Sequence, residues 1–378
     1  MKKTILPISL LASLALSGES AFAGSKAVVE EVAPEEASES IFDKIWALPT
    51  LYKNDEAAFL QEFKLIGRYQ LQYANVDSSQ GSYSDWENRR WRIGAQAQIL
   101  QNIKLVGQID IEDGFDPFYR NIDEAYVQFA FDAGKLSIGK HKPKFTHEYA
   151  TSSRFISTFE RSLLVNRVSP LKSAGITWAG KAGDYNYSLG LFSGDGDREF
   201  GGFDNGVFSL VTVGRDFDFA DWTFGYLYNG EQGGINARSA YQHSFSNALV
   251  FGGEGPLQVA TDMIYASGFD DDAYGLVILP TYDLTKKLQL VARYQYAHGD
   301  NDSLRAQGRY ELRSQVPNIP DGGRGEDYHA VYAGVNYFVY GEKLKLMAGI
   351  EYSDLSDGGN DGGDFEGWTA FTGLRLYF

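Results

Sequence analysis

The sequence predicts an all-β protein, a 16-stranded antiparallel transmembrane β-barrel with short periplasmic turns and long extracellular loops. Three observations support this prediction. The chain opens with an export signal, it contains 24 Tyr and 25 Phe although its mean hydropathy is only -0.30, and most of it alternates between apolar and polar residues. Strands that face lipid on one side and water on the other produce this alternation.

Composition excludes several other classes of protein. The absence of cysteine rules out disulfides, Cys-ligated zinc and iron–sulfur clusters. With 34 Lys and Arg against 50 Asp and Glu, the net charge of -16 argues against a nucleic-acid partner. No run of about 18 apolar residues follows the N-terminus, which argues against a bundle of membrane helices.

The first 23 residues have the three parts of a secretory signal peptide. A basic start at Lys2 and Lys3 precedes an apolar stretch over 5–16, and Ala21-Phe22-Ala23 is a small-x-small cleavage site. We therefore predict cleavage after Ala23 and export to the cell outer membrane of a Gram-negative type of cell. Residues 24–58 are predicted to form an acidic periplasmic extension. A short amphipathic helix is expected within 41–51, through Ile41, Ile45, Trp46 and Leu48.

Residues 59–378 are predicted to form the barrel. Short breaks alternate with longer ones, notably 143–170, 194–204, 231–244 and 300–327, as periplasmic turns alternate with extracellular loops. The predicted strands are 59–75, 84–99, 102–113, 119–132, 134–142, 171–180, 183–193, 205–218, 220–230, 245–253, 256–268, 273–284, 287–299, 328–340, 343–354 and 365–378.

The last strands show the alternation well. Trp368, Leu374 and Leu376 share one face, whereas Arg375 lies on the other. The chain ends on Phe378, and an aromatic residue at the end of a final strand is typical of recognition by the barrel-assembly machinery. We expect that machinery to be a partner through Phe378.

Five motifs stand out in the first half of the barrel and one near its C-terminal end. They are Arg89-Arg90-Trp91-Arg92-Ile93-Gly94, Asp123-Glu124-Ala125-Tyr126-Val127, Ile138-Gly139-Lys140-His141-Lys142-Pro143-Lys144-Phe145, Glu148-Tyr149-Ala150-Thr151-Ser152-Ser153-Arg154-Phe155, Phe159-Glu160-Arg161 and Gly334-Val335-Asn336-Tyr337-Phe338. These motifs resemble those of the phosphate-selective porin O and P family. The resemblance departs at Lys140, where the family usually has Gln, and at Phe159, where Met is usual. It implies a sixteen-stranded barrel, a homotrimer, and an anion-preferring pore narrowed by inward-folded loops, here 143–170.

Local charge agrees with an anion pore although the total charge does not. Residues 140–172 contain seven Lys and Arg against two Glu, and a pore is selective through its constriction. One alternative stays open, in which these cations pair with Asp110, Glu112 and Glu124 and only brace the barrel. The candidate pore-lining and anion-binding residues are Arg68, Arg90, Arg92, Lys140, Lys142, Lys144, Arg154 and Arg161.

Acidic loops suggest a different contact. Asp195-Gly196-Asp197, Asp270-Asp271-Asp272 and the stretch 357–364 could hold divalent cations that bridge lipopolysaccharide, but we favour the interpretation that they are solvated turn residues. Outer-membrane lipid and lipopolysaccharide are the expected surroundings. For Thr151-Ser152-Ser153 we favour a role in folding the loop over contact with a solute.

Catalysis is not expected. The five His lie in neither an H-E-x-x-H nor a G-x-S-x-G context, and we predict no metal and no cofactor. The functional hypothesis is a passive diffusion channel for small anions, with phosphate among them. A general or sugar-type porin of low selectivity is the first alternative, and an outer-membrane enzyme or adhesin that uses the loops is the second.

Overall fold

The barrel is preceded by a short helix and a short strand. A computed structural model describes residues 40–195, 199–204, 206–230, 241–253, 255–315, 323–356 and 363–378. The predicted signal peptide, its cleavage site and most of the acidic extension lie outside these residues. Helix α1 (Ile41–Ala47) falls within the stretch predicted to be helical, and β1 (Thr50–Lys53) follows it.

Sixteen long strands form the barrel wall, and each of the sixteen predicted strands is confirmed. The hairpin predicted over 245–268 is present as β11 and β12. The strands are β2 (Leu60–Ser78), β3 (Gly81–Ile99), β4 (Ile103–Ile111), β5 (Tyr119–Phe131), β6 (Gly134–His141), β7 (Ser173–Ala182), β8 (Tyr185–Ser193), β9 (Val207–Phe217), β10 (Ala220–Asn229), β11 (His243–Phe251), β12 (Leu257–Ser267), β13 (Ala273–Thr285), β14 (Leu288–Gly299), β17 (Asp327–Tyr340), β18 (Leu344–Ser356) and β19 (Phe365–Tyr377).

The sheet closes because its last strand pairs with its first. All neighbouring pairs are antiparallel, and β19 pairs with β2 from Tyr377↔Arg68 to Gly367↔Ser78. The final residue completes this seam: Phe378 and Gly67 exchange two backbone hydrogen bonds of 3.1 Å. A closed sheet satisfies the backbone of every strand, which is the requirement for crossing a bilayer. A Cβ on Gly67 would lie 2.2 Å from the Phe378 ring, so a larger residue at this position would force the ring to move.

The predicted faces are also confirmed. On β18, Lys345 is 0% exposed and points inward, whereas its neighbours Leu346 and Ile350 are each 45% exposed on the outer face. On β19, Arg375 is buried inside and Trp368 is exposed outside. Because successive side chains alternate, these assignments fix the two faces of both strands.

The first hairpin is taller than predicted. β2 and β3 each have 19 residues and pair up to Ser78↔Gly81, so residues 76–83 form strand and a tight turn instead of a loop. β4 covers only the lower part of β3, from Arg92 to Ile99. The upper part of this hairpin therefore rises above β4.

Short helices and a small ribbon occupy two of the long connections. The connection from β6 to β7 contains α2 (His147–Ala150) and α3 (Leu163–Val168). The connection from β14 to β17 contains β15 (Leu304–Arg305), α4 (Glu311–Ser314) and β16 (Arg324–Gly325). No helix in the described part of the chain has the length and apolarity needed to cross a membrane.

The outer face can be tested with charge at two depths. Ile350 lies at the middle of β18 and Leu346 near its periplasmic end. We expect Ile350→Arg to lower the free energy of unfolding in phospholipid vesicles by about 2–4 kcal/mol, and Leu346→Arg by about 0–1 kcal/mol. Denaturant titration measures both, with Ile350→Met as the apolar control. Equal losses at the two positions would contradict the assigned depth.

Candidate functional site: a cationic cluster inside the barrel

The connection from β6 to β7, residues 142–172, contacts the inward face of the wall on several strands. Gln70 of β2 donates to the Ser153 carbonyl at 2.7 Å, and Asn336 of β17 donates to the Ser157 carbonyl at 3.0 Å. On the other side, the backbone N–H of His147 donates to Asp262 of β12 at 2.7 Å. We call residues 142–172 the inner loop.

Arg375 of β19 binds the inner loop through backbone oxygens alone. Its guanidinium donates to the carbonyls of Ile156, Thr158 and Phe159 at 2.8–3.1 Å, and to that of Ser153 at 3.5 Å. Lys345 of the adjacent β18 donates to the same Ile156 carbonyl at 3.1 Å. Buried carbonyls need donors, so two strand cations next to the seam hold a segment of the loop that has no regular structure.

Arg293 of β14 joins the inner loop to the wall through two carboxylates. It lies 3.0 Å from Glu148 of α2 and 2.7 Å from Glu351 of β18, and all three side chains are nearly fully buried. It also donates to the Glu160 carbonyl at 2.7 Å. Glu148 in turn accepts from the backbone N–H of Ser162 at 2.9 Å, ahead of α3. Both short helices are therefore tied to one guanidinium.

A β-bulge places two consecutive arginines inside the barrel. Gln70 pairs with Arg90 and Leu71 with Asn88, so Arg89 has no partner in the register. Arg90 donates to Gln70 at 2.7 Å. Arg89 donates two hydrogen bonds, of 2.5 and 2.9 Å, to the carboxylate of Glu160 in the inner loop. Arg90 is buried against the wall, whereas we predicted that it lines the pore.

Arg92 and Lys172 form the part of the cluster in which charges are compensated. Arg92 lies 2.5 Å from Asp110 and 2.9 Å from Asp123. Lys172 lies 2.5 Å from Asp123 and 3.0 Å from Glu124. Arg92 therefore behaves as the bracing alternative predicts, since it pairs with Asp110. Glu124 takes Lys172 as its partner instead, and Glu112 takes Arg120 outside the candidate set.

Four other cations in the cluster have no carboxylate within ion-pair distance among the described residues. Arg68 donates to the Ser153 hydroxyl, Lys142 to the Thr151 carbonyl at 3.0 Å, and Arg161 to the carbonyls of Glu148 and Thr151 at 2.7 and 2.9 Å. Arg90, bound to Gln70, is the fourth. Neutral oxygens orient a cation without cancelling its charge, so no carboxylate among the described residues compensates these four.

The structure places the other three candidates at different points. Lys140 is buried on β6, in register with Ala125 and Ala174. Lys144 is exposed at the start of the inner loop. Arg154 is half-buried, and its guanidinium lies 5.2 Å from the centre of the Tyr377 ring. Arg154 is close enough to Arg68 for their charges to interact, so it belongs to the cluster.

The sequence reasoning missed four charged residues that hold the inner loop. Arg293 and Arg375 lie on the polar faces of alternating strands, and this position could have identified them as inward-facing cations. Arg89 and Glu160 were recognised only as parts of motifs. Their pairing depends on the bulge at Arg89, and no pattern in the sequence predicts this bulge. The motif Thr151-Ser152-Ser153 supplies oxygens to Arg68, Lys142 and Arg161, as a loop-folding role requires.

The connection from β14 to β17 packs on the tall hairpin. Tyr310 and Arg309 both bond to Glu87 of β3, and Tyr310 also bonds to Gln72 of β2. Next to them Glu311 is buried, and it accepts from Tyr328 at 2.8 Å and from the backbone N–H of Gln307 at 2.6 Å. Burial, and after it the nearby charge of Glu351, raises the pKa of Glu311 to about 7.

Breaking the pair between Arg89 and Glu160 should loosen the inner loop. Glu160→Gln leaves a largely buried guanidinium without its carboxylate, so we expect a loss of about 3–5 kcal/mol in unfolding free energy and faster proteolysis within 142–172. Glu62→Gln is the matched control, because Glu62 and Lys64 form a longer and more exposed ion pair of 3.8 Å. Equal behaviour of the two variants would mean that the pair does not anchor the loop.

Glu311 should make the docking of its connection depend on pH. Its pKa rises from 4.5 in the free chain to about 7 when docked. The carboxyl therefore contributes fully to docking below pH 4.5, and this contribution is lost as the pH rises through 7. We expect proteolysis within 300–315 to accelerate between pH 5 and pH 9, and Glu311→Gln to remove that dependence. A wild-type rate that does not change with pH would contradict this assignment.

Comparison with known proteins agrees with this architecture. Residues 63–207 match the family described as phosphate-selective porin O and P. No curated protein sequence matches the chain. Among the groups of His, Asp and Glu in the described residues, none of three or more members is arranged to hold a metal ion.

Solved structures similar to this barrel include an anion-selective porin and other outer-membrane proteins. The anion-selective porin from Comamonas acidovorans has a TM-score of 0.61 at 10% identity, covering 84% of this chain and 99% of its own. Salmonella typhi OmpF, in complex with daunomycin, has a TM-score of 0.59 at 14% identity, covering 87% and 100%. The outer-membrane channel DcaP of Acinetobacter baumannii has a TM-score of 0.56 at 12% identity, covering 87% and 100%.

At these identities the solved structures establish the fold alone, a closed antiparallel β-barrel like that of the porins. The stretch that matches the family model contains the tall hairpin, the bulge, the inner loop and the paired arginines. Residues 63–207 are therefore similar to the phosphate-selective porin O and P family.

Proposed function

We propose that this porin conducts small anions in preference to cations and that phosphate is among them. The observation that carries the proposal is the set of four cations, Arg68, Arg90, Lys142 and Arg161, whose polar partners are neutral oxygens. Together with Arg92 and Lys172 they make six cations against the three carboxylates Asp110, Asp123 and Glu124, a formal surplus of three positive charges.

The inner loop is proposed to form the constriction, because it brings these cations together inside the wall. A charge between low-dielectric walls acts more strongly than one on an open surface. The net charge of -16 belongs to the whole chain, and much of it lies on connections such as Asp270-Asp271-Asp272. Ionic screening over about 8 Å removes the influence of such distant carboxylates on an ion in the pore.

Phosphate suits the chemistry of this cluster better than chloride does. A guanidinium presents paired N–H donors that match two phosphate oxygens, and it stays charged near neutral pH. Arg68 and Arg154 are both half-buried and near each other, and the Arg68 Nε has no hydrogen-bond partner in the structure. We propose that phosphate dwells there during passage and slows chloride that follows the same path.

Export and assembly complete the proposal. Residues 1–23 are removed after Ala23, residues 24–58 stay on the periplasmic side of the barrel, and the barrel-assembly machinery recognises Phe378. We also propose a homotrimer. OmpT of Vibrio cholerae, known in a trimer form, has a TM-score of 0.55 to this chain at 14% identity, covering 84% of this chain and 99% of its own.

Ion selectivity tests the proposal directly. In a planar bilayer under a KCl gradient, we expect the sign of the reversal potential to show preference for chloride, and millimolar phosphate to reduce the chloride current. Arg68→Gln and Lys142→Gln should each weaken both effects, because each removes an uncompensated charge. Heat-modifiable mobility on gels shows whether the variants fold.

The control neutralises charge outside the cluster. Changing Asp270, Asp271 and Asp272 together to Asn should leave both the reversal potential and the phosphate block nearly unchanged. A wild-type pore that prefers potassium would overturn the anion proposal. Equal permeability to both ions, without phosphate block, would favour a general porin of low selectivity.

A further inference from the structure

Helix α1 lies against the outside of the barrel at its periplasmic rim. The Phe42 ring stacks on Tyr340 with 5.4 Å between ring centroids, and the Trp46 ring lies 5.0 Å from the same residue. Tyr340 is in register with Leu344, two residues from Leu346 on the lipid-facing side of β18. The Trp46 indole also donates to the Tyr377 carbonyl at 2.7 Å, beside the closing seam.

The contact with Tyr340 uses only part of the apolar surface of this helix. At 100° per residue, Ile41, Ile45 and Leu48 form a second apolar stripe next to Phe42 and Trp46. These three side chains are 65%, 45% and 73% exposed. The remaining arc contains Asp43, Lys44 and Ala47, which are exposed as well. The helix therefore has one face on the barrel, one exposed apolar face, and one face with the polar residues Asp43 and Lys44.

The chain after the helix continues along the rim. The β1 strand pairs with the lower end of β2, where Tyr52 is in register with Phe63, and the Pro49 carbonyl accepts from the Leu65 N–H at 2.8 Å. This pairing lies on the β2 edge below Phe378, where β19 has ended. Helix and strand together fix residues 41–53 against the outer wall, so the exposed stripe is held at one height.

We propose that α1 is an interfacial membrane helix whose Ile41, Ile45 and Leu48 stripe is immersed in the periplasmic leaflet of the outer membrane. The occupant is phospholipid, because the stripe is continuous with the lipid-facing wall through Tyr340 and Leu344. A helix with an apolar arc of about 160° and a charged remainder is suited to lie in the plane of an interface. Lys44 then faces the periplasmic water, and Asp43, which accepts a hydrogen bond from the Tyr340 hydroxyl, lies between the water and the barrel rim.

Since the chain has no cysteine, single-cysteine labelling tests this placement cleanly. Ile45→Cys and Ala47→Cys, on opposite sides of α1, are each labelled with an NBD fluorophore and reconstituted into phosphatidylcholine vesicles. We expect the probe at 45 to emit at shorter wavelength and to be quenched at least threefold more by lipids carrying a shallow nitroxide. Iodide in the water should quench the probe at 47 more strongly.

Two results would overturn the proposal. Equal quenching by iodide at both positions would place the stripe in water. A probe at 45 that is shielded from iodide but not quenched by nitroxide lipids would show that protein, such as a second copy of the chain, covers the stripe. Heat-modifiable mobility of both labelled proteins establishes that the barrel has folded, so neither result can arise from misfolding.

Discussion

The architecture depends on how the backbone of the inner loop is satisfied inside a closed wall. A strand in a barrel binds its neighbours, but an irregular segment within the barrel has to find donors for its carbonyl oxygens elsewhere. Arg375 donates to four such carbonyls and Arg293 to one, while Arg293 also binds two carboxylates. Both arginines come from strands far along the chain from the loop, so the shape of the loop depends on strands β14 and β19.

The same requirement shapes the electrostatics. Arg161 and Arg375 hold the loop through carbonyl oxygens, and no carboxylate among the described residues lies within ion-pair distance of either. Arg92 shows the opposite arrangement, in which Asp110 and Asp123 compensate the charge and the side chain braces β3 against β4 and β5. The acceptors that position each cation, neutral or charged, thus decide whether its charge is compensated.

The two ends of the barrel are stabilised by different means. At the periplasmic end the turns are short, and α1 and β1 pack on the rim beside the seam. At the extracellular end the β2–β3 hairpin rises above β4. The connection from β14 to β17 is hydrogen-bonded to this hairpin, because Arg309 and Tyr310 both donate to Glu87. Glu311 makes this second attachment sensitive to pH because it is buried with hydrogen-bond donors but without a cation.

Periodicity by itself determined the strands, their number and their faces, because a residue facing lipid and its neighbour facing the interior need different chemistry. The short helix at 41–47 was equally readable from its apolar spacing. Tertiary structure decided which cations are paired with a carboxylate and which are not. Arg90 and Arg92 share one face of one strand, yet Gln70 receives the first and two carboxylates the second. It also decided the bulge that turns Arg89 toward Glu160. These outcomes depend on side chains from distant strands meeting in one place, and alternation within a strand carries no information about its partners.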